Sequence, residues 1–156
     1  MGKNIFLLDD FILVSHTLII QFELKKDIFE DGFTKFNHDA LSNISYKIRN
    51  KKIEFKYTQK ELKLEDDIDG FSFRLPKDSY QLCEIGTSLR NCVASYAENV
   101  QNKECTIVYA KKDDKYKLCI EVRGKEILQE RANHNSAPNE EEMSVLLKWH
   151  ERHGLN

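Results

Sequence analysis

The sequence predicts an α+β domain: an antiparallel sheet with N-terminal strands, one long or kinked central helix, a three-stranded meander and a C-terminal helix. Three observations carry this. Short β-branched and aromatic runs separated by polar breaks recur near the start and again after residue 105. Between them, apolar residues switch to steps of three and four, the period of a helix with one buried face. The last 17 or so residues open on a cap signal and close on a glycine, as a free-standing helix does.

The elements follow in order. Phe11–Val14 and Leu18–Phe22 flank Ser15, His16 and Thr17 and read as two strands. Lys52–Tyr57 alternates polar and apolar residues and reads as a strand with one buried face, followed by an acidic loop from Glu65 to Gly70 and a short strand, Phe71–Leu75, ended by Pro76. Leu82, Ile85, Leu89, Cys92, Val93, Tyr96 and Val100 then form one helical stripe. Asp78 or Ser79 is its natural cap, and Gly86 either kinks it or precedes a second helix capped by Thr87 or Ser88. Thr106–Ala110, Tyr116–Val122 and Glu126–Arg131 read as the meander, with Tyr116, Leu118, Ile120 and Val122 on one face of its middle strand and Lys117, Cys119 and Glu121 on the other. Asn139 caps the final helix, Glu140, Glu141 and Glu142 sit at its positive pole, Met143, Leu146, Leu147 and His150 mark its inner face, and Gly154 stops it.

At 156 residues the chain suits a single domain, in which folding buries roughly 70% of the unfolded surface, with residues 1–70 as a β-rich portion. The balance of 24 basic against 26 acidic residues disfavours whole-surface binding to duplex DNA, which is expected to be weak. Lys47, Arg49, Lys51 and Lys52, followed by Lys56 and Lys60, form the one local basic cluster, which Glu54 interrupts. Asp9 and Asp10 break the apolar N-terminal run, so neither a signal peptide nor a membrane span is expected, and the chain reads as cytoplasmic. Four cysteines without CxxC spacing predict neither disulfides nor a metal site, and no cofactor motif occurs.

Two constellations carry chemistry. Cys92 as a nucleophile, with His134 as base and Asn133 or Asn135 as orienter, would make a thiol enzyme. Against it, Cys92 shares the helical stripe with Leu89, Val93 and Tyr96, which favours a small buried hydrophobe. Glu121 and Gln129 would be cross-strand neighbours, with Asn133, His134 and Asn135 leaving the end of that strand. A carboxylate, several amides and a histidine suit a polar ligand or acid–base chemistry. Equally, Gln129 and Asn135 would serve only to tie down the loop into the last helix, Asn135 more so because it stands three residues before Pro138.

Residues 71–150 resemble the PcfJ-like proteins of conjugative plasmids and phages. The likeness rests on a Leu-Pro after a short strand, Gly86 and Leu89 before Asn91-Cys92-Val93, Tyr96 one turn later, Thr106-Ile107-Val108, Ile120-Glu121-Val122, Gln129 and Asn135 within Gln-Glu-Arg-Ala-Asn-His-Asn, and a terminal helix carrying Trp149. The chain departs from the family pattern at Asn91, where the family has His before the Cys, and at Ala132, where it has Gly after the Arg. The resemblance implies an accessory role in plasmid transfer or phage biology: a binding module for a protein or nucleoprotein partner, with Gln129 to Asn135 as contact surface. The alternatives are a small enzyme using Cys92 or Glu121 on a nucleotide or acyl substrate, and a phage-encoded inhibitor of a host defence nuclease.

Overall fold

The computed structural model describes residues 50–156. Lys52–Asn156 forms one unit and is described by itself. The strands expected at Phe11–Val14 and Leu18–Phe22 lie outside the described residues.

The segment after Lys51 alternates as its sequence does, with Ile53, Phe55 and Tyr57 half-buried and Lys52, Glu54 and Lys56 exposed. It does not join the sheet. It makes a single bridge, Glu54 to Asp78, and clips onto the chain that leads into the central helix: Phe55 N–H donates to Lys77 O at 3.0 Å and Ser79 N–H to Ile53 O at 2.9 Å. Alternation reported the buried face correctly, but the hydrogen-bonding partner is a turn and not a strand.

Thr58 and Glu61 form a reciprocal capping box around a one-turn helix, α1 (Gln59–Leu62). The acidic stretch expected to be a loop contains strand β1 (Asp66–Ile68), which turns through Asp69 and Gly70, both at positive φ, into β2 (Phe71–Arg74). The acidic side chains point outward or toward cations: Arg74 forks onto the Asp67 carboxylate at 2.9 and 3.0 Å, while Ile68 is buried. Composition suggested a loop, whereas one buried apolar residue and the pairing with β2 hold a strand.

Helix α2 (Ser79–Leu89) starts at Asp78, whose side chain accepts from Gln81 N–H. Burial pushes the Asp78 carboxyl up, but the Gln81 amide and the Lys52 ammonium, 3.1 Å away, outweigh it and hold it below its ordinary value. The helix runs through Gly86 and ends at Arg90, in the left-handed conformation (φ 55°). A 3-10 turn (Val93–Tyr96) and a short helix α3 (Ala97–Gln101) continue the apolar stripe with Val93, Ala94, Ala97 and Val100 buried. The break thus falls at Arg90 and not at Gly86.

Strands β3 (Thr106–Lys112), β4 (Lys115–Arg123) and β5 (Glu126–Arg131) form the expected meander and complete a five-stranded antiparallel sheet in the order β1-β2-β3-β4-β5. One face packs on α4 (Glu140–His153): Phe71, Phe73, Val108, Ala110, Leu118, Ile120 and Val122 meet Val145, Leu146 and Trp149. Burying each large apolar side chain there contributes on the order of 1.5–3 kcal/mol. The other face carries Ile107, Tyr109 and Cys119 toward α2 and the 3-10 turn. Tyr116 joins this second face, correcting its expected place beside Leu118. A register shift after Ala110 leaves Lys117 unpaired and turns Tyr116 over, so its ring meets Tyr109 edge-on and both hydroxyls lie near the Gln81 amide.

Helix α4 has the predicted ends, an Asn139–Glu142 capping box and Gly154 at φ 60°. Its inner face differs: Glu142, Val145, Leu146 and Trp149 are buried, while Met143 and Leu147 are exposed. No helix among the described residues is long and apolar enough to cross a membrane.

Candidate functional site

On the α2 side of the sheet, a cleft of about 40 Å³ is lined by Asn91, Cys92, Val93 and Tyr96 from the turn after α2, Ile107 from β3, Cys119 and Glu121 from β4, Gln129 and Arg131 from β5, and Asn135 beyond it. That volume holds a few waters, so a ligand would engage the mouth and not sink into the floor.

The floor is set by strand register. Glu121 pairs directly with Gln129 and Cys119 with Arg131, which places these four side chains on one face. A bulge at Leu128 follows. Glu121 is only 6% exposed, and the Arg123 guanidinium reaches its carboxylate through Nε at 3.2 Å and Nη2 at 3.1 Å. A buried carboxylate needs such a partner, since an unpaired one would cost several kcal/mol. Burial and the Glu121 carboxylate push the Tyr96 hydroxyl up, and Glu121 also serves as its hydrogen-bond partner. Burial pushes the Cys119 thiol up to about 12, with Cys92 and Glu121 adding to the effect, and burial with the same carboxylate takes Cys105 to about 11. Both thiols stay protonated and inert at neutral pH.

The walls come from two turns. Asn91 is a structural residue here: its Oδ1 accepts from Val93 N–H at 3.1 Å and starts the 3-10 turn. Cys92 precedes that turn and is exposed, which overturns its expected place in the core. The left-handed Arg90 ends the helical stripe before Cys92, so the 3.6-residue period no longer applies there. Opposite, residues Asn133–Asn135 form a second 3-10 turn in which Asn133 Oδ1 accepts from His134 N–H at 2.9 Å and Ser136 Oγ donates to Asn133 O at 2.8 Å. His134 and Asn135 both take left-handed backbone, at φ 59° and 56°.

The structure therefore gathers Cys92, Glu121, Gln129 and Asn135 into one cleft. His134 lies outside its lining, with Nδ1 3.3 Å from Arg90 Nη1. A guanidinium only donates, so this nitrogen accepts and the imidazole lone pair is engaged. Asn133 is the loop scaffold, the task expected of Asn135. Tyr96, Asn91, Arg131 and Ile107 were not expected as site residues, although Arg131 stands two residues after Gln129 on the same strand. Lys47 and Arg49 lie outside the described residues; Lys51 is exposed, and Lys52 is bonded to Asp78. Among the described residues no group of three His, Cys, Asp or Glu could hold a metal ion.

The class these features define is an α+β domain with a shallow polar cleft across the end of its meander. Residues 8–146 match the family of PcfJ-like proteins, and the chain belongs to that family. The match begins far upstream of residue 71, where the motifs named above begin. A protein of Listeria innocua described only as uncharacterized is 24% identical over 120 residues, covering 72% of this chain and 26% of that protein, so the chain spans about a quarter of that relative's length. No solved structure matches the chain.

Proposed function

We propose that the chain is an accessory binding module of a mobile genetic element, acting in plasmid transfer or phage biology, and that it holds a protein or nucleoprotein partner at the mouth of this cleft. One observation carries the reading. Exposed Cys92, Gln129 and Asn135 ring a floor in which the buried Glu121 carboxylate is paired with Arg123 and the half-buried Arg131 guanidinium donates to the Glu130 carbonyl. A rim of adaptable polar groups over a satisfied, desolvated centre suits recognition by hydrogen bonding and shape. A thiol enzyme fits less well, because among the described residues the imidazole beside the cleft, His134, is bonded to Arg90.

Affinity capture from the chain's natural host tests this. Wild-type protein should retain a partner that Gln129→Ala and Asn135→Gly both lose while keeping their fold. Equal capture by wild type and both variants would refute the cleft as the binding surface.

A further inference from the structure

A second concavity, far from the meander's polar cleft in chemistry, lies where α1, the turn after α3, the β4–β5 turn and the end of α4 converge. It is about 400 Å³ in volume, within the size range of small-molecule sites. Its lining includes Lys60, Lys63, Lys103, Lys125 and Arg152, with Glu61 the one carboxylate, so five cations less one anion leave an excess of +4 in a chain whose formal net charge is -2.

The cations fall into two groups. Lys103 bonds Glu61 at 3.0 Å, and Arg152 and His153 bond Asp66 at 3.2 and 3.1 Å, which fixes these side chains around the wall. The backbone amide of Thr58 and the hydroxyl of Thr106 hold Glu61 in turn. Lys60, Lys63 and Lys125 are exposed and form no ion pair with a carboxylate among the described residues. Like charges brought together in one concavity repel unless an anion joins them, and a concave wall concentrates their field.

We propose that this basin is an anion site for a polyphosphate ester, supplied either by a free nucleoside polyphosphate or by a short stretch of nucleic-acid strand. With Lys103 held by Glu61 and Arg152 by Asp66, three lysine charges remain without a carboxylate among the described residues; a single carboxylate would leave most of them unmatched, whereas a polyphosphate's three or four charges balance them. Arg152 offers a planar fork and the lysines movable point charges, the pairing that phosphate oxygens accept. A rigid duplex presents its phosphates on a convex cylinder and reaches only the rim. Weak duplex binding by the whole chain is therefore compatible with a site for a flexible polyphosphate.

The test uses the full chain at about 50 mM salt, with tripolyphosphate and ATP titrated calorimetrically and a labelled eight-residue oligothymidylate followed by anisotropy. At least one probe should bind, and the Lys60→Ala/Lys63→Ala/Lys125→Ala variant should weaken it tenfold or more. For the oligonucleotide, the log–log salt slope should fall by about 2, since each single-strand phosphate contact contributes about 0.7. The Lys77→Ala/Lys115→Ala/Lys117→Ala variant removes equal charge elsewhere and should bind as wild type. Circular dichroism confirms that both variants fold. Tripolyphosphate binding without oligonucleotide binding identifies a free polyphosphate as the source; oligonucleotide binding displaced by tripolyphosphate identifies a strand at the same site. Binding by no probe, binding unchanged in the first variant, or loss in the second variant alone would each overturn the proposal.

Discussion

Nη1 of Arg90 stands 3.3 Å from Nδ1 of His134, tying the residue that ends α2 to the turn that follows β5. The contact ties together two turns 44 residues apart in sequence, just outside the cleft's lining, and engages the imidazole nitrogen a neighbouring thiol would need. Catalysis by a Cys92–His134 pair would require that contact to break.

Cys92 is the exposed thiol of the four, with Cys83, Cys105 and Cys119 buried. Native protein at pH 7.5 should therefore react with maleimide at one fast site, which Cys92→Ser removes, and the substitution should leave stability within about 0.5 kcal/mol. Mass spectrometry of the alkylated protein and a urea melt check both. Fast modification of two or more cysteines would contradict the packing of Cys105 and Cys119 described above.

The cleft amides separate recognition from scaffolding. Gln129→Ala removes an exposed side chain, and Asn135→Gly removes another while preserving a left-handed backbone at φ 56°. Both should keep the melting temperature within a few degrees. Asn135→Ala should cost about 1 kcal/mol more than Asn135→Gly, through backbone strain alone. Asn133→Ala should cost about 1 kcal/mol by losing the hydrogen bond to His134 N–H. Thermal melts of the four variants give the comparison.

The Asp78 carboxyl lies below its ordinary value of 3.8 in the folded chain. A group with a depressed folded pKa contributes stability that is present above its unfolded value and lost as pH falls through the folded one. Stability should accordingly hold to about pH 4 and decline below it. Asp78→Asn, which can still cap α2, should lower stability at pH 7 and flatten that acid limb. Urea midpoints between pH 7 and pH 2.5 measure it; a limb as steep in Asp78→Asn as in wild type would assign the acid sensitivity to other carboxylates, with Asp66 and Glu61 also held low.

Trp149 is fully buried and lies flat on Phe73, ring centroids 5.1 Å apart and planes 6° from parallel, with its Nε1 donating to Leu64 O at 2.9 Å. Trp149→Ala should cost about 3–5 kcal/mol in a urea melt followed by circular dichroism. As the sole tryptophan, it should also give blue-shifted emission in the native chain that moves red on unfolding.

Much of this was legible in the residues themselves. The meander, the cap at Asp78 and both ends of α4 follow from local periodicity and capping chemistry, and the facing of Glu121 and Gln129 follows from a short turn. What escaped depended on single backbone events. Arg90 adopts a left-handed conformation more typical of glycine and so carries Cys92 out of the core, while the bulge at Lys117 turns Tyr116 over. The inner face of α4 also shifted by one position, because Val145 and Trp149 pack on the sheet where Met143 and Leu147 were expected. The basic basin was invisible for a different reason: its lysines are spread from residue 60 to residue 125, and no single stretch of sequence brings them together.

The most direct test of the cleft as a binding surface places a photo-crosslinking amino acid at Gln129 and, as a control, at the exposed Leu147 of α4, in the chain's natural host. A discrete adduct from position 129, absent from position 147 and suppressed by Asn135→Gly, is the predicted result. Adducts of equal yield from both positions, or an adduct from 147 with none from 129, would contradict the claim that this chain engages its partner through the cleft.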